Sequence, residues 1–303
     1  MAIRVASGRL DVRDAVEHWL GDSRLVPPQQ LDLSLSVVNA PWQGEDSRQC
    51  LRQPDIDLYY GPPGGLLRLV WRDCAGHALV DLATGSATVT LVEDAAGRPE
   101  LWLRPFLLLV VAAQLRAVGW GHIHAATAVD PAGRGWLIAG DSNSGKSTTA
   151  ALLASRGWAI GTDDTAFLVD SSSPVEVLGW HEPMALRDDG YRLLGLQGGR
   201  SLTRRRKTGF FPEELGGRWV NRVIPDIVAI ATIHDGATAL ESLRPTLAVA
   251  DLLSWSLLFI VDPEGAQRHL ELVTRLAAQA RCYHLRLGRD IFEHPDLLSV
   301  LAP

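Results

Sequence analysis

The chain is 303 residues long and 47% hydrophobic, enough apolar side chain to fill one large core or two ordinary ones, which excludes a disordered or collagen-like polypeptide. Its formal charge is −6 and its isoelectric point lies near 5.8, so it has no general attraction for nucleic-acid phosphates or anionic lipid. The longest strongly apolar stretch, Pro105 to Leu115, is flanked by Arg104 and Arg116 and falls well short of the roughly 18–20 residues that a membrane-spanning helix needs.

Met1 to Leu20 mixes charged and apolar residues without the continuous apolar segment of a secretion signal, so a cytoplasmic location is expected. Alternating apolar and polar residues predict strands over Leu31–Val38 and Ala87–Val92. A third falls on Leu66–Trp71, behind the turn-forming Gly61-Pro62-Pro63-Gly64-Gly65. Residues 1–100 therefore read as a β-rich N-terminal domain, accessory or substrate-docking. Leu101–Val118 reads as a buried helix, with Pro105 near its first turn and Gly119 just past its end. That helix is expected to open a second domain, residues 101–303. There an apolar strand over Gly135–Ala139 precedes a helix over Lys146–Arg156, stopped by Gly157, and a strand over Trp158–Gly161. This is a βαβ-type unit of the α/β class. Helices over Leu247–Ile260 and Glu264–Ala280 close the chain. Cys50, Cys74 and Cys282 are odd in number and far apart, which suits buried thiols and neither a disulfide framework nor a zinc pair.

Gly140-Asp141-Ser142-Asn143-Ser144-Gly145-Lys146-Ser147 matches the P-loop pattern GxxxxGK[ST] at every fixed position. A strand precedes it and a helix follows, so its backbone N–H groups and the helix N-terminus face a polyphosphate. Lys146 would reach the β and γ phosphates, Ser147 would ligate the Mg²⁺ bridging them, and Thr148 completes the set expected to hold ATP. Of the 29 basic residues only Lys146 and Lys207 are lysines. A compact ammonium suits phosphate oxygens, so Lys207 is a further candidate for phosphate contact and Arg187 a weaker one. Lys207 follows Arg204-Arg205-Arg206 and precedes Thr208-Gly209, a combination that reads as a basic, mobile loop.

A P-loop does not by itself name a reaction. The next strand ends in Thr162-Asp163-Asp164, which places two carboxylates at the C-terminal edge of the sheet, where phosphates are expected to sit. Two acids suit two tasks, holding Mg²⁺ and accepting the proton of an attacking hydroxyl. Adjacent strand residues point to opposite faces, so a shared site requires the chain to have left the strand there, a turn that Gly161 permits. His122 and His124 share a strand face without a third ligand at zinc spacing. His124 is the candidate catalytic imidazole and His122 a structural one.

His124 to Asp164 resembles the catalytic core of the HPr kinase/phosphorylase family. His124 precedes the loop GDSNSGKS by sixteen residues, and Asp163-Asp164 follow Lys146 by seventeen and eighteen, with Arg156-Gly157 at the helix end. The resemblance implies a fold like that of phosphoenolpyruvate carboxykinase and ATP-dependent phosphorylation of a protein serine. His124, Asp163 and Asp164 would form the catalytic cluster, one aspartate being the general base. Both aspartates join Ser147 as candidate metal ligands. The family's second signature, an apolar Glu-Val-Arg-Gly-Leu-Gly type segment, has only a distant counterpart in Met184 to Leu196, which argues against HPr as substrate and against phosphorolysis. The layout is closer to HPr-kinase-related proteins of peptide biosynthesis clusters, including kinases of lasso-peptide precursors. The expected partner is a protein or peptide bearing a serine, with no nucleic acid and no membrane, and a homo-oligomer is left open. The alternatives are an HPr-type protein kinase, a small-molecule hydroxyl kinase and a nucleotide-gated binding protein without turnover. A motor ATPase fits poorly, because Ile227 to Asp235 ends in His234-Asp235 rather than Asp-Glu.

Overall fold

A computed structural model describes residues 3–25, 27, 29–40, 48–52, 55–60, 65–72, 76–170, 174–202, 207–256, 261–294, 297 and 298. The chain divides into two compact units, Met1–Trp120 with Leu258–His269, and Gly121–Leu257 with Leu270–Pro303.

The first unit opens with β1 (Ile3–Ser7), α1 (Leu10–Ser23) and β2 (Leu31–Val38). It continues through β3 (Gln49–Arg52), β4 (Ile56–Tyr60), β5 (Leu66–Trp71), β6 (Gly76–Asp81) and β7 (Ala87–Val92). Among the described residues these form a seven-stranded sheet in the order β1-β2-β7-β6-β5-β4-β3. β1, β2 and β7 are parallel, the first pair joined by α1 as parallel strands require. β7 through β3 are antiparallel neighbours. Period-two burial gives the sheet one apolar face, with Leu33, Leu67, Leu69, Val80, Val89 and Leu91 all inaccessible.

Two short helices, α2 (Glu93–Ala96) and α3 (Pro99–Trp102), lead through a π-helical turn over Leu103–Leu107 into α4 (Leu108–Ala117). The wide turn falls at Pro105. A proline inside a helix has no N–H to donate, so the local ladder opens. Phe106 stacks on Trp71 of β5 with ring centroids 5.8 Å apart, a pair worth about 1 kcal/mol beyond the area it buries. Gln114 donates from Nε2 to the carbonyls of Asp32 and Gly85. These contacts place the helix in the first unit, so the division falls after Trp120 and not near residue 100.

The second unit contains β8 (Gly121–Val129), β9 (Gly135–Ala139), α5 (Lys146–Ala154), β10 (Ala159–Thr162), β11 (Thr165–Val169) and β12 (Glu176–Gly179). β13 (Met184–Leu186), α6 (Asp188–Leu193), β14 (Arg200–Leu202) and β15 (Lys207–Phe210) follow. Last come β16 (Arg218–Trp219), β17 (Arg222–Val223), β18 (Pro225–Ile233), β19 (Ala239–Ser242), α7 (Pro245–Ser254), α8 (Pro263–Gln279), β20 (Arg281–Leu287) and α9 (Asp290–Glu293), α8 being divided at His269 between the first unit and the second. The main sheet runs β17-β12-β11-β8-β9-β18-β20-β19, with β10 beside β8 and β16. β9, β18 and β20 are parallel, while β8 is antiparallel to β9.

Each face of this sheet has its own core. Ala126, Ile138, Ile160 and Ala229 meet Ala151 and Leu153 of α5. Ala125, Leu137, Val228 and Ile230 meet Leu252 of α7 and Val273 and Leu276 of α8. The helix expected over Leu247–Ile260 is observed as α7, and residues 257–260 lie outside the described set. A separate small sheet, β13-β15-β14, carries Lys207. Thr208 and Gly209 are strand residues paired with Leu186 and Ala185, which corrects the expectation of a mobile loop there. Arg204, Arg205 and Arg206 lie outside the described residues. No helix among the described residues is long and apolar enough to cross a membrane.

Candidate functional site

β9 ends at Ala139 and the chain turns at once into the loop that starts α5. Gly140 is needed by space, since a Cβ there would lie 2.6 Å from the Ala231 carbonyl oxygen of β18 and 2.6 Å from Ser144 Oγ. Gly145, at φ 94°, supplies the left-handed residue that redirects the chain into the helix. Asn143 is also left-handed, at φ 70°, a conformation its short side chain tolerates. Within this frame the Lys146 ammonium donates to the carbonyls of Gly140 and Asp141, at 2.7 and 2.8 Å. The residue is 5% exposed, and burial lowers its pKa from 10.5 to about 8. The carboxylates of Asp164, Asp141 and Asp163 oppose that shift, and Lys207 adds to it. Lys207 therefore lies within electrostatic reach of Lys146, whereas Arg187 is exposed at the start of α6. Asp141, Ser142 and Asn143 are exposed, and Ser147 and Thr148 half-buried.

The aspartates follow Thr162, the last residue of β10, so the chain has left the strand there, but the pairing with β8 resumes at once. β10 and β11 both run antiparallel to β8, Thr162 facing Thr127 and Thr165 facing His124. Register is thus kept across Asp163 and Asp164, which occupy a two-residue break in one long strand, level with Ala125 and Ala126. A register shift between Ile160 and Thr162, at Gly161, precedes the break. Ala125 in turn pairs with Ala139, the last residue of β9, so the break sits one strand away from the start of the loop.

At the break the two neighbouring carboxylates take different partners. Asp163 is 4% exposed and accepts the Ala185 N–H of β13 at 3.2 Å. Asp164 places Oδ1 3.1 Å from His124 Nδ1, with both side chains partly exposed, at 25% and 33%. The Thr165 hydroxyl also donates to Asp164, at 3.4 Å. His122, on the same strand face as His124, packs edge-on against Phe167 at 5.5 Å and is 7% exposed. It is a core residue, as expected.

Trp255, just past α7, is a contributor that no motif marked. Its indole N–H donates to Asp141 Oδ1 at 2.8 Å, and its carbonyl accepts the His124 N–H at 2.9 Å. β9 has ended at that level, so the His124 amide lacks a ladder partner on that side and Trp255 supplies one. A single residue thereby ties the phosphate loop to the strand that carries the imidazole. Spread among ten tryptophans, it carries no local signal.

The loop fits a polyphosphate. Its buried ammonium is costly without an anion, and the buried Ser144 hydroxyl has no hydrogen-bond partner among the described residues. Among those residues no three His, Cys, Asp or Glu side chains gather as a metal site. Magnesium suits such a place, because it usually takes one or two protein carboxylates and fills its remaining positions with water and substrate phosphates. Ser147 and Asp163 or Asp164 are the residues that would hold it.

No protein-family model matches the chain, and no curated protein matches it. Among solved structures it is similar to the HPr(Ser) kinase/phosphatase from Coxiella burnetii, at 14% identity over 59% of this chain and 92% of that one, with a TM-score of 0.30. At that distance the likeness carries no argument, and the reading of the site rests on its residues.

Proposed function

We propose that the protein is an ATP-dependent phosphotransferase that moves the γ-phosphoryl group to a serine hydroxyl of a protein or peptide. The observation that carries this reading is a buried ammonium, Lys146, in a loop of P-loop sequence, with Asp141, Asp163 and Asp164 within electrostatic reach of it. A passive phosphate receptor has no need of carboxylates beside its cation, since they repel the anion. A phosphoryl transferase needs them, to orient metal and to take a proton.

Lys146, the Ser144 hydroxyl and the loop amides would hold the phosphates, with Lys207 contributing charge from β15. Bound magnesium would neutralise developing charge on the phosphate oxygens. Asp163, buried and fixed by the Ala185 amide, is suited to orienting that ion together with Ser147. Asp164 and His124, more exposed and paired, are suited to the incoming hydroxyl. As its oxygen bonds to the γ-phosphorus and ADP leaves, the hydroxyl proton passes to this pair. Trp255 keeps His124 and Asp141 at fixed spacing.

A serine on a ribosomally made precursor peptide is the acceptor we infer, from the HPr-kinase-like order of His124, loop and aspartates and from the missing second signature. The test is incubation with γ-labelled ATP and a panel of precursor peptides, HPr and small hydroxyl compounds. Label on a peptide serine supports the proposal. Label only on small hydroxyl compounds overturns the acceptor class, and nucleotide binding without transfer to any of them overturns the activity.

A further inference from the structure

The acids and the apolar surface around the phosphate loop lie on opposite sides of it. Asp163, Asp164 and His124 belong to the β8/β10/β11 side of β9, while β18 and β20 lie on the other. With its γ-phosphate facing the carboxylates, a nucleotide can extend its nucleoside toward β18 and β20. β18 outruns β9 there. Ile230 pairs with Ala139, and Ile233 lies three residues further, pairing with Leu287 of β20.

Ile233 is 64% exposed, more than any other large hydrophobic residue among those described. Its Cδ1 and Cγ1 lie 3.6 Å from where a Gly145 Cβ would be, with Leu287 Cδ1 at 3.1 Å. An apolar side chain is thus presented to solvent at the foot of the phosphate loop. The turn beside it is held rigid. His234 bonds to the Ala237 carbonyl and the Gly236 amide, and Asp290 accepts both the N–H and the hydroxyl of Thr238. Gly288 passes so close that a Cβ would meet the Gly236 carbonyl oxygen at 2.0 Å. A shelf braced by side chain–backbone bonds needs no rearrangement to receive a flat ring.

We propose that Ile233, with the 234–238 turn behind it, is the platform on which the nucleobase of the bound nucleotide lies. This rests on the phosphotransferase reading, and two ligands separate the two claims: ATP has a base, and inorganic tripolyphosphate has only the phosphate chain. Ile233 itself offers only an apolar side chain and so recognises a base by its face, while the exposed Asp235 of the adjoining turn is a group able to tell the edges of adenine and guanine apart.

The experiment is calorimetric titration of the full chain with ATP, GTP and tripolyphosphate, each with magnesium, for wild type, Ile233→Ser and Ile233→Trp. Removing the apolar contact is expected to weaken ATP and GTP binding roughly fivefold, in line with the area lost, and to leave tripolyphosphate unchanged. Ile233→Trp, which enlarges the platform, is expected to tighten both nucleotides. Equal weakening of all three ligands by Ile233→Ser, or unchanged nucleotide affinity in both variants, overturns the platform while leaving the phosphate site standing. Failure of wild type to bind any of the three overturns the phosphotransferase reading and the platform with it.

Discussion

Two sets of charged groups meet at the end of β9 in opposite states. Lys146 is 5% exposed and held by backbone carbonyls, its pKa lowered by burial to about 8. Asp164 and His124 are 25% and 33% exposed and paired with each other. The buried cation is ready for an anion before one arrives, at a standing cost to the fold. The exposed pair keeps contact with solvent, from which an acceptor must come. In the proposed reaction binding belongs to the loop and transfer to the strand break, and each can be disabled separately.

The largest effect is expected at the loop. Lys146→Ala should lower phosphoryl transfer by about a thousandfold or more and weaken tripolyphosphate binding, as loss of a positioned cation does. Lys146→Met should show the other side of the comparison. Burial disfavours the charged form, so this variant's thermal midpoint without nucleotide should equal or exceed wild type. A large drop in midpoint for both variants would mean the lysine holds the loop together rather than waiting for a ligand.

Next in size are the carboxylates. Asp163→Asn and Asp164→Asn should each reduce single-turnover transfer by roughly two orders of magnitude, with nucleotide Kd changed far less. In Asp163→Asn the new amide oxygen can still accept the Ala185 N–H, so this variant should remain folded, which circular dichroism can check. Smaller again, Trp255→Phe removes the indole donor to Asp141 and keeps the backbone bond to His124. A drop of about tenfold in kcat with KM for ATP held within twofold is the expected split, typical of a positioning residue. Equal changes in both would place Trp255 in binding instead.

The smallest effect is on pH. The folded pKa of Lys146 lies below its unfolded 10.5, so between about pH 8 and 10.5 the unfolded chain binds more protons and stability rises with pH. Phosphate affinity runs the other way, because the neutral amine is a poor partner. Nucleotide binding should weaken above about pH 8 and take up protons there, seen as a dependence of the binding enthalpy on buffer ionisation. Affinity that is flat between pH 7 and 9.5 would contradict the shifted lysine.

The loop was legible in the sequence because its geometry is encoded in consecutive residues. Two glycines, a lysine and a serine at fixed spacing, behind an apolar strand, leave little else for the backbone to do. Strands β2, β5 and β7 were legible for a similar reason, since alternation is local. The placement of the aspartate pair was not legible, because the break it occupies is defined by pairing with β8, some forty residues upstream. The helix at Leu101–Val118 was found, yet its allegiance depends on Phe106 meeting Trp71, which no local pattern reveals. Trp255 was missed altogether, for it joins the site through one indole N–H and one carbonyl.

The central claim is that loop and carboxylates form one electrostatic unit, and the composition offers a direct way to test it. With only Lys146 and Lys207 present, a side-chain ¹⁵N or ¹³Cε spectrum of lysine-labelled protein contains two signals, assignable with Lys207→Arg. The measurement is the titration of Lys146 in wild type, in Asp164→Asn and in wild type saturated with tripolyphosphate. The account predicts a pKa near 8 in the free protein, a lower one when the Asp164 charge is removed, and a marked rise when the anion binds. A lysine that titrates at its ordinary value, indifferent to Asp164 and to tripolyphosphate, would contradict it.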